Sequence, residues 1–128
     1  MMWPATENDR TIAFKTWRGI AKQIIHLEGV SFRLMTIVDD MIDLRTGTVS
    51  GTNLEFAVAG GGCSIKTISR DVGIHERLGL FIGTRSRKKT PKGEFVEHRT
   101  LRLALPAVLD PRIELRSEDN RGPAYAPA

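Results

Sequence analysis

Gly60-Gly61-Gly62-Cys63-Ser64-Ile65-Lys66-Thr67-Ile68-Ser69-Arg70-Asp71-Val72, with the later Arg85-Ser86-Arg87-Lys88-Lys89-Thr90-Pro91-Lys92, is the part of the chain whose reading decides the fold. Three consecutive glycines reach left-handed backbone angles freely, so they end one element and turn the chain. Ser64 can then accept from the first free N–H groups of a helix, which the pattern predicts over 65–78. Leu80-Phe81-Ile82-Gly83-Thr84-Arg85 has strand composition. Thr90-Pro91-Lys92-Gly93 puts Pro second and Gly fourth, a type I turn signature. Over 95–105, Leu101, Leu103 and Leu105 alternate with Thr100, Arg102 and Ala104, which predicts a half-buried returning strand. The order is therefore turn, helix and positively charged β-hairpin.

Toward the N-terminus, Thr52-Asn53-Leu54-Glu55 matches a capping box and predicts a short helix over 53–59. Residues 45–51 are turn formers around a β-branched pair, suited to a short strand or a linker. Ile12, Trp17, Ile20, Ile24 and Leu27 recur at helical steps and predict a helix over 10–28. Gly29 interrupts it, and Ser31 is a candidate N-cap for a second run over 32–44 carrying Leu34, Ile37, Val38, Met41 and Leu44. Two helices and one bent helix both fit this pattern. Apolar faces of this richness over 10–45 need a partner, either the rest of the domain or a second copy of the chain. Residues 1–9, and 106–128 with Pro106, Pro111, Pro123 and Pro127, are expected to be flexible.

A chain of 128 residues, 41% hydrophobic and 27% charged, has the make-up of one soluble domain with its own core. No apolar run approaches the ~18 residues that span a bilayer, and the first residues lack a basic-then-apolar order, so a cytoplasmic protein is expected. Cys63 is the only cysteine, which leaves no disulfide framework and no thiolate metal cluster. It reads as a small buried residue in a turn. The net charge of +4 is unevenly placed. Residues 1–59 hold 6 basic and 7 acidic side chains, residues 60–105 hold 10 and 4, and residues 106–128 hold 3 and 4. The whole excess falls on the turn, helix and hairpin, which favours a polyanionic partner there.

Other chemistries fit less well. Gly60 to Thr67 nearly spells a phosphate-binding loop, but Ile65 stands where the motif needs a glycine before its lysine. Asp39, Asp40 and Asp43 share a helical face that could hold a hard cation, but the pattern favours a solvated acidic face or pairing with basic side chains of a neighbour. His26, His75 and His98 show no ligand-like spacing, and no nucleophile and base are paired, so neither an enzyme nor a bound cofactor or metal is expected. Trp17 fits the core. Trp3 reads as an exposed anchor or a disordered residue, and both tryptophans lie outside the basic segment, which argues against stacking on single strands.

Arg45-Thr46-Gly47-Thr48-Val49, Phe56-Ala57, Gly62-Cys63-Ser64, Thr67-Ile68-x-Arg70, Glu76 and Gly79-Leu80-Phe81 together resemble the winged helix-turn-helix family of bacterial regulators and plasmid or phage replication proteins. The likeness covers about residues 45–85, with the basic hairpin as a looser extension. It implies a mostly α fold with a small β-hairpin, in which 46–105 form the winged helix-turn-helix and 10–45 a helical extension. It also implies double-stranded DNA binding, by a transcriptional regulator or a replication or maintenance factor of a mobile element. The helix over 65–78 would lie in the major groove and the basic segment 85–92 on the backbone. Its expected contacts are Ser64, Lys66, Thr67, Ser69, Arg70, Arg85, Arg87, Lys88, Lys89 and Lys92. A homodimer through 10–45 would suit two half-sites. No membrane and no small-molecule substrate is expected. The alternative on the same fold is a protein-interaction module, an adaptor or antagonist of another regulator. Two residues stand out within the helix: Gly73, at about 1 kcal/mol against Ala, and His75, where the family usually places a core leucine.

Overall fold

A computed structural model describes residues 2–115. Among them the chain forms α1 (Glu7–Glu28), α2 (Arg33–Met41), β1 (Ile42–Asp43), β2 (Thr48–Thr52), α3 (Asn53–Ala59), α4 (Ile65–Arg77), β3 (Phe81–Lys89) and β4 (Phe95–Leu103). The strands make one antiparallel sheet in the order β1-β2-β4-β3. The fold is thus mixed α/β, and the expected "mostly α with a small hairpin" undercounts the sheet. The stretch over 45–51, open between strand and linker in the sequence, supplies β2, which pairs with the returning strand β4 from Thr48↔Arg102 to Thr52↔His98. β1 has only two residues and left no periodic signal.

Local chemistry sets the boundaries. Thr6 caps α1 by accepting from Asp9 N–H at 3.3 Å, and Gly29, at φ 66°, ends it, so two separate helices form; the second stops at Met41, short of the expected residue 44, because Ile42 and Asp43 pair with β2. Ser31 accepts from Arg33 N–H at 3.1 Å, although Phe32 occupies the cap position of α2. Around α3 the capping box is complete: Glu55 N–H donates to Thr52 Oγ1 at 3.1 Å and Thr52 N–H donates to Glu55 Oε1 at 3.0 Å. The Thr52 backbone N–H first, and the Thr52 hydroxyl next, favour the ionised form and hold the Glu55 carboxyl below its ordinary pKa. In the hairpin turn, Gly93 N–H donates to Thr90 O at 2.9 Å, and β3 continues through the basic run as far as Lys89.

Direct cross-strand partners lie on one face of a sheet. The face formed by Val49, Leu101, Leu103 and Phe81 is buried, and the helices cover it. On the reverse face, Ser50 donates to Thr100 Oγ1 at 3.0 Å near the surface. Trp17 of α1 is fully buried, tilted against Phe81 at a centroid distance of 5.4 Å. Its Nε1–H donates to Ala104 O at 2.8 Å and Leu80 O at 3.3 Å, the two backbone positions where the hairpin leaves the core. Most of the apolar faces of α1 and α2 find their partner inside this chain: Ile20, Ile24, Ile25, Leu34, Ile37 and Val38 share one cluster with Phe56, Ile68, Val72 and Leu101, whereas Ile12 and Leu27, expected on the same face, are exposed.

Both flanks make contacts with the rest of the chain. Trp3 Nε1–H donates to Leu44 O at 2.8 Å, and its ring lies where a Cβ at Gly47 would stand. Residues 106–115, expected to be flexible, fold back on α1. Ile113 is buried, and Gln23 donates to Glu114 O at 3.0 Å while accepting from Glu114 N–H at 2.8 Å. Two bonds from one amide side chain do what the prolines could not announce. The expectation for 116–128 lies outside the described residues.

Candidate nucleic-acid interface

The inner face of α4 is Ile68, Asp71, Val72 and His75, all buried. Spacing alone then fixes the outer face. Lys66, Arg70, Gly73 and Arg77 fall at i, i+4, i+7 and i+11, a single stripe away from the core. Lys66, Arg70 and Arg77 are exposed. Asp71, the one acid on the inner face, is paired with Arg33 of α2, which ties the two helices together and keeps that charge off the outer stripe.

The three hydroxyl residues among the expected contacts have structural partners. Thr67 N–H donates to Ser64 Oγ at 3.1 Å, and Ser64 Oγ–H donates to Thr67 Oγ1 at 2.9 Å, so both serve the start of α4. Ser69 faces the sheet rather than outward, because its Oγ accepts from Arg99 Nη2 at 3.2 Å. The seven cations Lys66, Arg70, Arg85, Arg87, Lys88, Lys89 and Lys92 are all exposed.

Arg99 is the residue on which this surface is organised. It is 3% exposed, and its Nε–H donates to Asn53 Oδ1 at 2.8 Å, so one guanidinium bridges the start of α3, the first half of α4 and β4. Burial first, and the like charge of Arg85 next, push Arg99 below the ordinary arginine pKa. Arg85 is its direct partner on β3. Arg85, Arg87 and Lys89 therefore continue, at every second residue, on the same face of the hairpin that α4 covers nearer the core. Lys88 points to the reverse face and Lys92 sits in the turn. Glu97, opposite Arg87, comes within 3.9 Å of Arg85 and moderates the charge of this row.

Sequence reading missed Arg99, Asn53 and Arg77. For Arg99 a signal existed: the alternation that sends Leu101 and Leu103 inward sends residue 99 inward as well. Arg77 had one too, the helical spacing that puts it on the stripe of Lys66 and Arg70, whereas Asn53 gave none, since it needs the packed position of β4 to acquire meaning.

The alternatives can be placed too. In the glycine turn, the N–H groups of Gly60, Gly61 and Gly62 donate to Phe56, Val58 and Ala57 carbonyls at 2.9, 3.0 and 2.9 Å, so they are taken by the end of α3 and cannot cradle a phosphate. Cys63 is half-buried there, its Sγ 3.7 Å from Ala57 O. Asp39 receives both Nε and Nη2 of Arg18, at 2.9 and 2.8 Å, and Asp43 accepts from Arg45 N–H at 2.9 Å. Among the described residues no group of three His, Cys, Asp or Glu side chains is placed to hold a metal ion, and no helix is long and apolar enough to cross a membrane. His75 fills the core position of a leucine, its Nδ1–H donating to Asp71 O at 2.8 Å and its Nε2 buried without a partner.

No protein-family model, curated protein or solved structure matches the chain.

Proposed function

We propose that this is a double-stranded DNA-binding protein of winged helix-turn-helix type, acting as a small regulator or as a replication or maintenance factor. The observation that carries the reading is the outer stripe of α4, three exposed cations and no acid, beside a hairpin whose β3 row continues the same sign of charge. The order β2-α3-α4-β3-β4, with β2 against β4, supports it, since it presents α4 and the hairpin together. In this reading α4 enters the major groove with Lys66 and Arg70, and Arg85, Arg87 and Lys89 neutralise phosphates of the flanking backbone. A dimer through 10–45 remains part of this reading: most of those apolar faces pack in the chain's own core, while Ile12, Leu27, Phe32 and Leu44 stay exposed for a second copy.

The test is a titration of the purified protein against a fluorescent random-sequence duplex at several salt concentrations. Binding that weakens with a log–log salt slope of about −4 or steeper is expected from the cations named. Absence of binding at low salt would overturn the reading.

One observation favours a second reading, a protein-interaction module. Leu54 and Val58, one helical turn apart on α3, are 65% and 68% exposed and form a shallow apolar cleft with Met41 between Asp40 and Glu55. A module of that kind would lose its partner on Leu54→Lys with Val58→Lys and be indifferent to Lys66→Ala with Arg70→Ala; a DNA binder would show the reverse.

A further inference from the structure

Gly73 lies at the ninth of thirteen residues of α4, where glycine is a poor helix former. Folding gives three common reasons for such a residue, and none applies. It is absent from the glycines with positive φ. It does not end the helix, which runs on to Arg77. Nor does it make room for a neighbour: a Cβ built there meets only Arg77 Nη1, at an ordinary 3.5 Å. Gly83 shows what the last case looks like, since a Cβ there would stand 2.6 Å from Glu76 Oε1 where α4 crosses the sheet. What remains for Gly73 is its place on the outer stripe, one turn from Arg70 on one side and Arg77 on the other.

We propose that Gly73 is the point where the backbone of α4 comes closest to a DNA duplex, a positioning residue whose missing side chain sets how deeply the helix seats between the flanking contacts of Arg70 and Arg77. The proposal rests on the DNA-binding reading above. Charge complementarity selects the partner, because the stripe offers cations on both sides of the gap and no acid within it. Size explains the gap. The major groove is about 12 Å wide and a helix with its side chains about 10–12 Å across, so any atom added on the leading edge holds the helix away from the base edges. Arg77, not expected as a contact from sequence, becomes the third cation of the stripe.

The experiment measures two quantities that a purely local role would move together and this role moves apart. Wild type, Gly73→Ala and Gly73→Leu are melted, and each is titrated against the fluorescent random-sequence duplex at low salt. Both substitutions should raise the melting temperature, Ala by about 2–5 °C, because each is a better helix former with open space to occupy. Both should weaken binding, Ala by about threefold to tenfold and Leu by more, where tenfold corresponds to 1.4 kcal/mol. If wild type binds and both variants bind as tightly, the inference fails and the DNA-binding reading survives. If Gly73→Ala lowers the melting temperature, glycine is needed by the fold and the inference also fails. If wild type does not bind, the DNA reading falls and this proposal with it.

Discussion

The two halves of the β3–β4 hairpin share one ladder and do opposite things. At its root, Phe81, Leu101 and Leu103 are buried beneath Trp17. At its tip, Arg85, Arg87, Lys88 and Lys89 stand exposed, and Phe95, opposite Lys89, is 66% exposed. The contrast locates stability and the proposed binding on different residues of a continuous strand pair. Arg99 marks the boundary, in register with the charged half through Arg85 and next to the apolar half through Leu101. A change at the root should act on folding, a change at the tip on a polyanion, and a change at residue 99 on both.

Trp17→Ala tests the root most severely. It deletes the largest fully buried side chain and leaves Ala104 O and Leu80 O without the indole N–H. We expect a loss of about 3–5 kcal/mol in denaturant unfolding followed by circular dichroism. A variant that unfolds within about 1 kcal/mol of wild type would mean that α1 does not hold the hairpin root, and the contrast would lose its structural half.

Arg99→Met tests the boundary. Methionine keeps much of the apolar stem but abandons Asn53 Oδ1 and Ser69 Oγ, so a loss of about 1–3 kcal/mol is expected in the same measurement. Duplex affinity should also fall under conditions where the variant is fully folded, because α3, α4 and β4 lose their common anchor. If only stability changes, Arg99 is a staple of the core and the charged half begins at Arg85.

At the tip, Arg87→Ala, Lys88→Ala and Lys89→Ala combined should leave the unfolding midpoint within about 0.5 kcal/mol of wild type, since no buried contact is removed. The salt slope of duplex binding should shrink by about 2–3 units. An unchanged slope would mean that the tip does not meet phosphate, however strong its charge.

The legibility of these parts follows the range of the interactions that make them. Caps are local, and Thr52-x-x-Glu55 and Ser64 announced α3 and α4 within a residue of their observed starts. Helical and alternating patterns identified the middle of the core faces, because burial repeats with the geometry of each element, but not where those faces end: Ile12, Leu27 and Leu44 fit the patterns and are exposed. Segregated charge pointed to the exposed cations of α4 and the hairpin tip. Contacts between distant segments left almost no trace. Trp3 reaching Leu44, Gln23 clasping Glu114 and Arg99 choosing Asn53 and Ser69 are each single pairings over 30 to 91 positions of sequence. None recurs with a period that a sequence pattern could show. For the same reason the hydroxyls of Ser64, Thr67 and Ser69 read as available contacts until their partners were visible.

The smallest expected effect concerns the root alone and separates it from the tip by pH. His75 packs against Phe81 at a centroid distance of 6.3 Å, and burial lowers its pKa below the usual histidine value of 6.5, outweighing the carbonyl and charge of Asp71 that act to raise it. Because its Nδ1–H is directed at Asp71 O, Nε2 is the unprotonated nitrogen, and a proton arriving there would be a buried charge without a partner. The unfolded chain therefore takes up a proton as pH falls below about 6.5 while the folded chain resists. This contribution to stability is complete above that pH and declines below it, until the folded pKa is reached, by about 1.4 kcal/mol per pH unit at most. Melting temperatures between pH 7 and pH 5 should accordingly fall more for wild type than for His75→Leu, which keeps the packing and cannot accept the proton. Equal pH profiles for the two proteins would remove His75 from the account of the root, leaving Trp17 and the leucines of β4 to hold it.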